Sequence, residues 1–178
     1  MNKTYVLLIA ALFTLGSRSA HLSVAQRVSH EQSSFNMEDA VVDHPAQIPK
    51  SALRVLVEDR HVAQQLRIHN LSPDQIPSSW FQTAEVHLDG GNEKDFVVIG
   101  KGDLLGANVT PFWVIRNSDK GTQLVLAVPA HELRILKSRS RGFKDIWVGA
   151  VISGDLSTIT YHFDGEKYQV FQRGSAAN

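Results

Sequence analysis

Asp89 and Asp95 bracket a short glycine-rich turn, Asp89-Gly90-Gly91-Asn92-Glu93-Lys94-Asp95, which leads into the apolar run Phe96-Val97-Val98-Ile99. Carboxylates in such a turn suggest calcium, which replaces a hydration shell of about six to eight oxygens with protein ligands. Two carboxylates hold calcium weakly at best. Asp side chains that accept backbone N–H bonds within a turn account for the same letters without a metal. The turn therefore has two readings, a calcium site at Asp89 and Asp95 or a backbone-bonded turn.

A second group is cationic. Arg134, Lys137, Arg139, Arg141 and Lys144 fall close together. If this stretch is extended, its period of two places Lys137, Arg139 and Arg141 on one face. Such a stripe suits phosphates, carboxylates or an acidic partner. Charge on an edge strand is also a common guard against aggregation.

Other near-motifs fall short of the chemistry they suggest. Gly100-Lys101-Gly102-Asp103-Leu104-Leu105-Gly106 follows an apolar strand. A dinucleotide loop needs a helix N-terminus at that point, and here Asn108–Pro111 leads into another strand. His131-Glu132-Leu133-Arg134-Ile135 begins like a zincin helix but lacks the second histidine. There is no Gly-x-Ser-x-Gly nucleophile elbow. The chain has no cysteine, which excludes thiol nucleophiles, thiolate zinc sites and iron–sulfur clusters.

These residues need elements to position them. Ser51 followed by Leu53, Leu56, Val57, Ala63 and Leu66 predicts helix with a break near Asp59. Ser72-Pro73-Asp74 predicts a second short helical start, ended by Pro77. From Trp80 the period changes to that of strands. Val86 and Leu88 alternate with polar residues, and apolar runs recur at 96–99, 112–115 and 124–128. Asn117–Gly121 predicts a hairpin loop, and Asp164-Gly165 a tight turn.

The order strand, Gly-Asp loop, aromatic strand, turn, closing strand occurs first from Asp95 and again from Asp145. Two such strand-loop-hairpin units predict a mainly β (α+β) domain, a small antiparallel sheet or sandwich preceded by an N-terminal helical segment. Trp80, Phe81, Trp113, Trp147 and Tyr161 are assigned to packing. His87 with Asp89, and His162 with Asp164, share strand faces and are read as surface pairs.

The N-terminus predicts export. Met1-Asn2-Lys3 is cationic, Tyr5–Leu15 is apolar, and Ser23-Val24-Ala25 places small residues for signal peptidase. An eleven-residue run is too short to cross a ~30 Å hydrocarbon core as a helix. Removing residues 1–25 leaves 16 cations against 18 anions, a formal charge of −2. That balance offers no global field for nucleic acid or an anionic membrane. Residues 26–48 are polar, with Pro45 and Pro49 marking their end, which predicts a flexible linker ahead of one domain at 49–173.

The turn and strand Val86-His87-Leu88-Asp89-Gly90-Gly91-Asn92-Glu93-Lys94-Asp95-Phe96-Val97-Val98-Ile99-Gly100 resembles the calcium-turn unit of FG-GAP-type secreted β repeats. The resemblance implies ligand positions at His87, Asp89, Gly91 and Asp95, of which two are carboxylates. The equivalent turn of the second unit, Ser140–Asp145, is cationic. More of the chain, including Ser78-Ser79-Trp80-Phe81, Pro111-Phe112-Trp113-Val114 and Tyr161-His162-Phe163-Asp164-Gly165, looks like a group of small exported bacterial proteins. That likeness implies localisation and fold, and no mechanism.

The function expected from these readings is a secreted or periplasmic, non-catalytic binding protein that inhibits, or protects against, an envelope enzyme. A cell-surface or anionic-polymer module using Lys137, Arg139 and Arg141 is the alternative. A hydrolase whose residues meet only in the fold is the third. The expected partner is a protein or an anionic polymer, with no nucleic acid, no membrane span and no cofactor, calcium apart.

Overall fold

The computed structural model describes residues 31–39, 42, 43, 45–152 and 154–176. The expected signal peptide at 1–25 and the start of the linker lie outside the described residues. The domain at 31–176 is mainly β, with two antiparallel sheets and two helices, as the strand and helix periods predict.

Ser34–Asn36 is strand β1. Helices α1 (Lys50–Leu56) and α2 (Arg60–Ile68) follow. Asp59 marks the break between them, because its side chain accepts the N–H groups of His61 and Val62 and caps α2. The cap of α1 is Pro49 rather than the expected Ser51. Ser72-Pro73-Asp74 opens only a single 3-10 turn, Pro73–Gln75.

The four-stranded sheet holds β2 (Phe81–Val86), β3 (Asp95–Gly100), β4 (Thr110–Ser118) and β5 (Gly121–Ala130) in chain order. The five-stranded sheet holds β6 (Glu132–Ser140), β7 (Phe143–Ile152), β8 (Asp155–Phe163) and β9 (Tyr168–Ala176), with β1 beside β6. The two predicted units are thus the meanders β3–β4–β5 and β7–β8–β9, one in each sheet. Only His131 separates β5 from β6, so a single strand path turns from one sheet into the other.

Strand alternation sorts the apolar residues into two cores. Val86, Val97, Ile99, Phe112 and Val114 point at the other sheet and meet Leu133, Ile146, Val148, Tyr161 and Phe163. The alternate residues Phe96, Val98, Trp113 and Ile115 point the other way and pack under Ala52, Leu56, Val62 and Leu66 of the helices. β3 is buried along its whole length because it serves both cores.

The described part of the expected linker is corrected. Phe35 is fully buried in the inter-sheet core, and Val42 joins it. Further along, Pro45 bridges Ala84 and the Ala46 N–H donates to the Thr83 carbonyl, which covers the edge of β2. Lys101 fastens the chain between these points by donating to the carbonyls of Met37 and Asp39. Glu31 bonds the His87 N–H and meets the Lys144 ammonium at 2.7 Å. The apolar residues of this stretch sustain no helix or strand period, which is why the sequence reads as linker.

Candidate binding surface

The acidic turn is bonded to backbone. Asp89 Oδ1 accepts the Gly91 N–H at 2.7 Å. Asp95 is 1 % exposed, and its two oxygens accept the N–H groups of Leu88 and Asn117, each at 3.0 Å. It therefore ties the β2–β3 turn to the end of β4. Burial pushes the Asp95 carboxyl up to about 6; the two N–H bonds and Arg116 oppose that rise, and the Asp89 charge adds to it. Among the described residues, no group of three or more His, Asp or Glu is arranged to hold a metal ion.

The three cations do not share one regular strand. β6 shifts its register against β7 between Ile135 and Arg139. Arg139 donates to the carbonyls of Leu88 and Gly142. Arg141 lies beyond the end of β6 in the two-residue turn Arg141-Gly142, where both residues have positive φ, 50° and 86°. All three are exposed, and among the described residues neither the Lys137 nor the Arg141 side chain is held by a hydrogen bond or ion pair.

The glycine loop at 100–106 holds a 3-10 turn, Gly102–Leu104, and then enters β4. His131-Glu132 opens β6 instead of a helix, and Glu132 grips the Arg134 guanidinium through both carboxylate oxygens. The His–Asp pairs also differ from the i, i+2 expectation. His87 faces Glu31 at 3.5 Å, and His162 faces Asp145 at 3.6 Å. Asp145 is 2 % exposed, and its Oδ1 has no protein donor. His162 stacks on Phe171 with ring centroids 3.7 Å apart.

Two concavities can be described, and both are open grooves. One of about 530 Å³ is lined by Glu58, Arg60, Gln123, Glu166 and Lys167 among others. The other, about 240 Å³, lies over Leu104, Pro111, Trp113 and Val128. The His162–Asp145 pair lines neither groove.

The remaining feature is a face. The helices cover the outer side of the four-stranded sheet, and among the described residues no apolar cluster covers the outer side of the five-stranded one. Trp147 stands on that open face, although its size suggested a core residue, because it alternates with the buried Ile146 and Val148. The Arg134 guanidinium lies 4.8 Å over its ring. Gly149 is the next residue on the same face. A Cβ there would approach the Trp147 ring to 2.6 Å, so glycine lets the indole lean toward Val151.

Val151 pairs with Leu156 across β7 and β8, and both are exposed. Six large apolar side chains are exposed among the described residues, and four of them (Val151, Leu156, Val170 and Phe171) belong to β7–β8–β9. No sequence pattern marked them, since an apolar strand residue reads alike whether or not a second layer covers it. No family model matches the chain, and no curated protein and no solved structure matches it.

Proposed function

We propose that the chain is an exported, non-catalytic binding protein that engages a protein partner through the outer face of β7–β8–β9. The exposed Val151 and Leu156, paired across β7 and β8 on the face that carries Trp147, carry the reading. A patch centred on Trp147, Val151 and Leu156 and edged by the Glu132–Arg134 pair has the apolar centre and polar rim of a protein-binding surface. The signal-like N-terminus supports an envelope setting, and an enzyme of that compartment is the partner class proposed. The use of Arg139 in backbone bonds weighs against the anionic-polymer alternative.

The test compares the wild-type chain with a Val151→Asp, Leu156→Asp variant, immobilised and exposed to envelope extract. Both sites are exposed, so the melting temperature should move little. A stoichiometric protein retained by the wild type and lost from the variant supports the proposal. Equal retention by both chains overturns the assignment of this face.

A further inference from the structure

Asp145 is a buried carboxylate that the fold leaves without a bonded partner. It is 2 % exposed, and its Oδ1 meets no hydrogen-bond donor. Among the described residues, the ion-pairing group within reach is His162, whose Nε2 stands 3.6 Å from Oδ2. That separation is too long for a hydrogen bond, which in a charged pair of this kind closes at about 2.7–2.9 Å. Asp95 shows the contrast, since both of its oxygens accept backbone N–H groups. A buried carboxylate lacking such bonds is costly to the fold.

Strand register explains why these two side chains meet. Ile146 pairs with Tyr161 across β7 and β8, and the next step along both strands brings Asp145 level with His162. Tyr161 and Phe163 point into the inter-sheet core, so His162 between them stands on the outer side of the five-stranded sheet. On β9, Gln169 pairs with His162, and the register shift that follows leaves Phe171 as the extra residue. The Phe171 ring lies on the imidazole, 3.7 Å away and 12° from parallel. The imidazole therefore presents Nε2 to β7 and its flat face to β9.

The other charged groups around the pair are engaged elsewhere or exposed. Asp164, two residues along β8, accepts the N–H groups of Glu166 and Lys167 and the Gln169 amide, with Arg141 near it. Lys144, next to Asp145, pairs with Glu31. On β6 the segment 136–138 lies level with Asp145, and its cation, Lys137, is exposed. Histidine changes charge between about pH 5 and 8, which makes His162 the group that can bring a charge to Asp145. We propose that His162 is a proton-operated clasp: uncharged it leaves Asp145 unpaired, and charged it closes on Asp145 while holding the Phe171 ring, which fastens β9 to β7. One proton strengthens both contacts, the first as an ion pair and the second as a cation over an aromatic face. The His162 side chain is 32 % exposed, which gives the proton access and the ring room to shift.

The stabilisation is present where His162 carries its proton and is lost as pH rises through its titration. A double-mutant cycle with Asp145→Asn and His162→Gln, followed by urea unfolding, measures it. The coupling should be worth about tenfold in the unfolding equilibrium constant near about pH 5, and less than about twofold near about pH 8. Asp95 and the remaining carboxyls are common to all four chains, so their own titrations drop out of the cycle.

A second readout leaves the pair unaltered. In the wild-type chain, hydrogen-exchange protection factors of the Gln172 and Gly174 amides should fall several-fold across the same pH range, in step with the His162 ring carbons followed by NMR. Phe171→Leu should keep the His162–Asp145 coupling and lose this response of β9. Equal coupling at both pH values overturns the clasp, as does β9 protection that ignores the His162 titration. A β9 response that persists in Phe171→Leu overturns the hold through the ring. The clasp acts within one chain, so each of these results leaves the partner-binding face to its own test at Val151 and Leu156.

Discussion

Asp95 is a carboxylate held where ionisation is costly, and stability should report it. Its folded-state value, about 6, lies above the ordinary 3.8. Between those values the folded chain keeps a proton that the unfolded chain has lost, so stability falls as pH rises through the window. One such group contributes about 1.4 kcal/mol per pH unit. Urea unfolding of the wild type minus Asp95→Asn, measured from pH 4 to 7, should show that negative slope between about 4 and 6 and then level. The difference isolates Asp95 from Asp164 and Glu132, whose values are lowered by the Lys167 and Glu166 N–H groups and by Arg134 respectively, and which act in the opposite direction at lower pH. Parallel curves for the two proteins would show that the buried carboxyl carries no such proton. The acidic turn was legible as a turn because Asp and Gly have strong local preferences. Its long-range bond to Asn117 was not, since residue 117 becomes a neighbour only through the β3–β4 pairing.

At the scale of elements, β1 tests whether the N-terminal segment belongs to the fold. Phe35 sits at 0 % exposure against Leu133, with the segment anchored by Glu31 on Lys144. Truncating a fully buried phenylalanine costs about 3–5 kcal/mol. Phe35→Ala should therefore lower the unfolding free energy by an amount in that range, whereas a tethered linker residue would change it by a few tenths. Chemical denaturation decides between them. Strands β3, β4 and β7 could be read in advance because burial on both sides, or a regular period of two, leaves an apolar signature. β6 could not, because its bulge after Ile135 and its cationic end blur that period. The turn at Arg141-Gly142 was legible only as the second unit's counterpart of the acidic turn, since arginine rarely takes positive φ and a lone glycine after it is a faint signal.

For the whole molecule, the two cores share the four-stranded sheet, so the helices and both sheets should unfold as one cooperative unit while the exposed end of β9 opens separately. β3 feeds both cores and has no exposed residue. Gln169 through Ser175 of β9 are exposed throughout and are held by β8 alone. Local opening free energies follow such differences in burial. Native-state hydrogen exchange should place the Phe96–Ile99 amides at the global unfolding free energy and the Gln172 and Gly174 amides well below it.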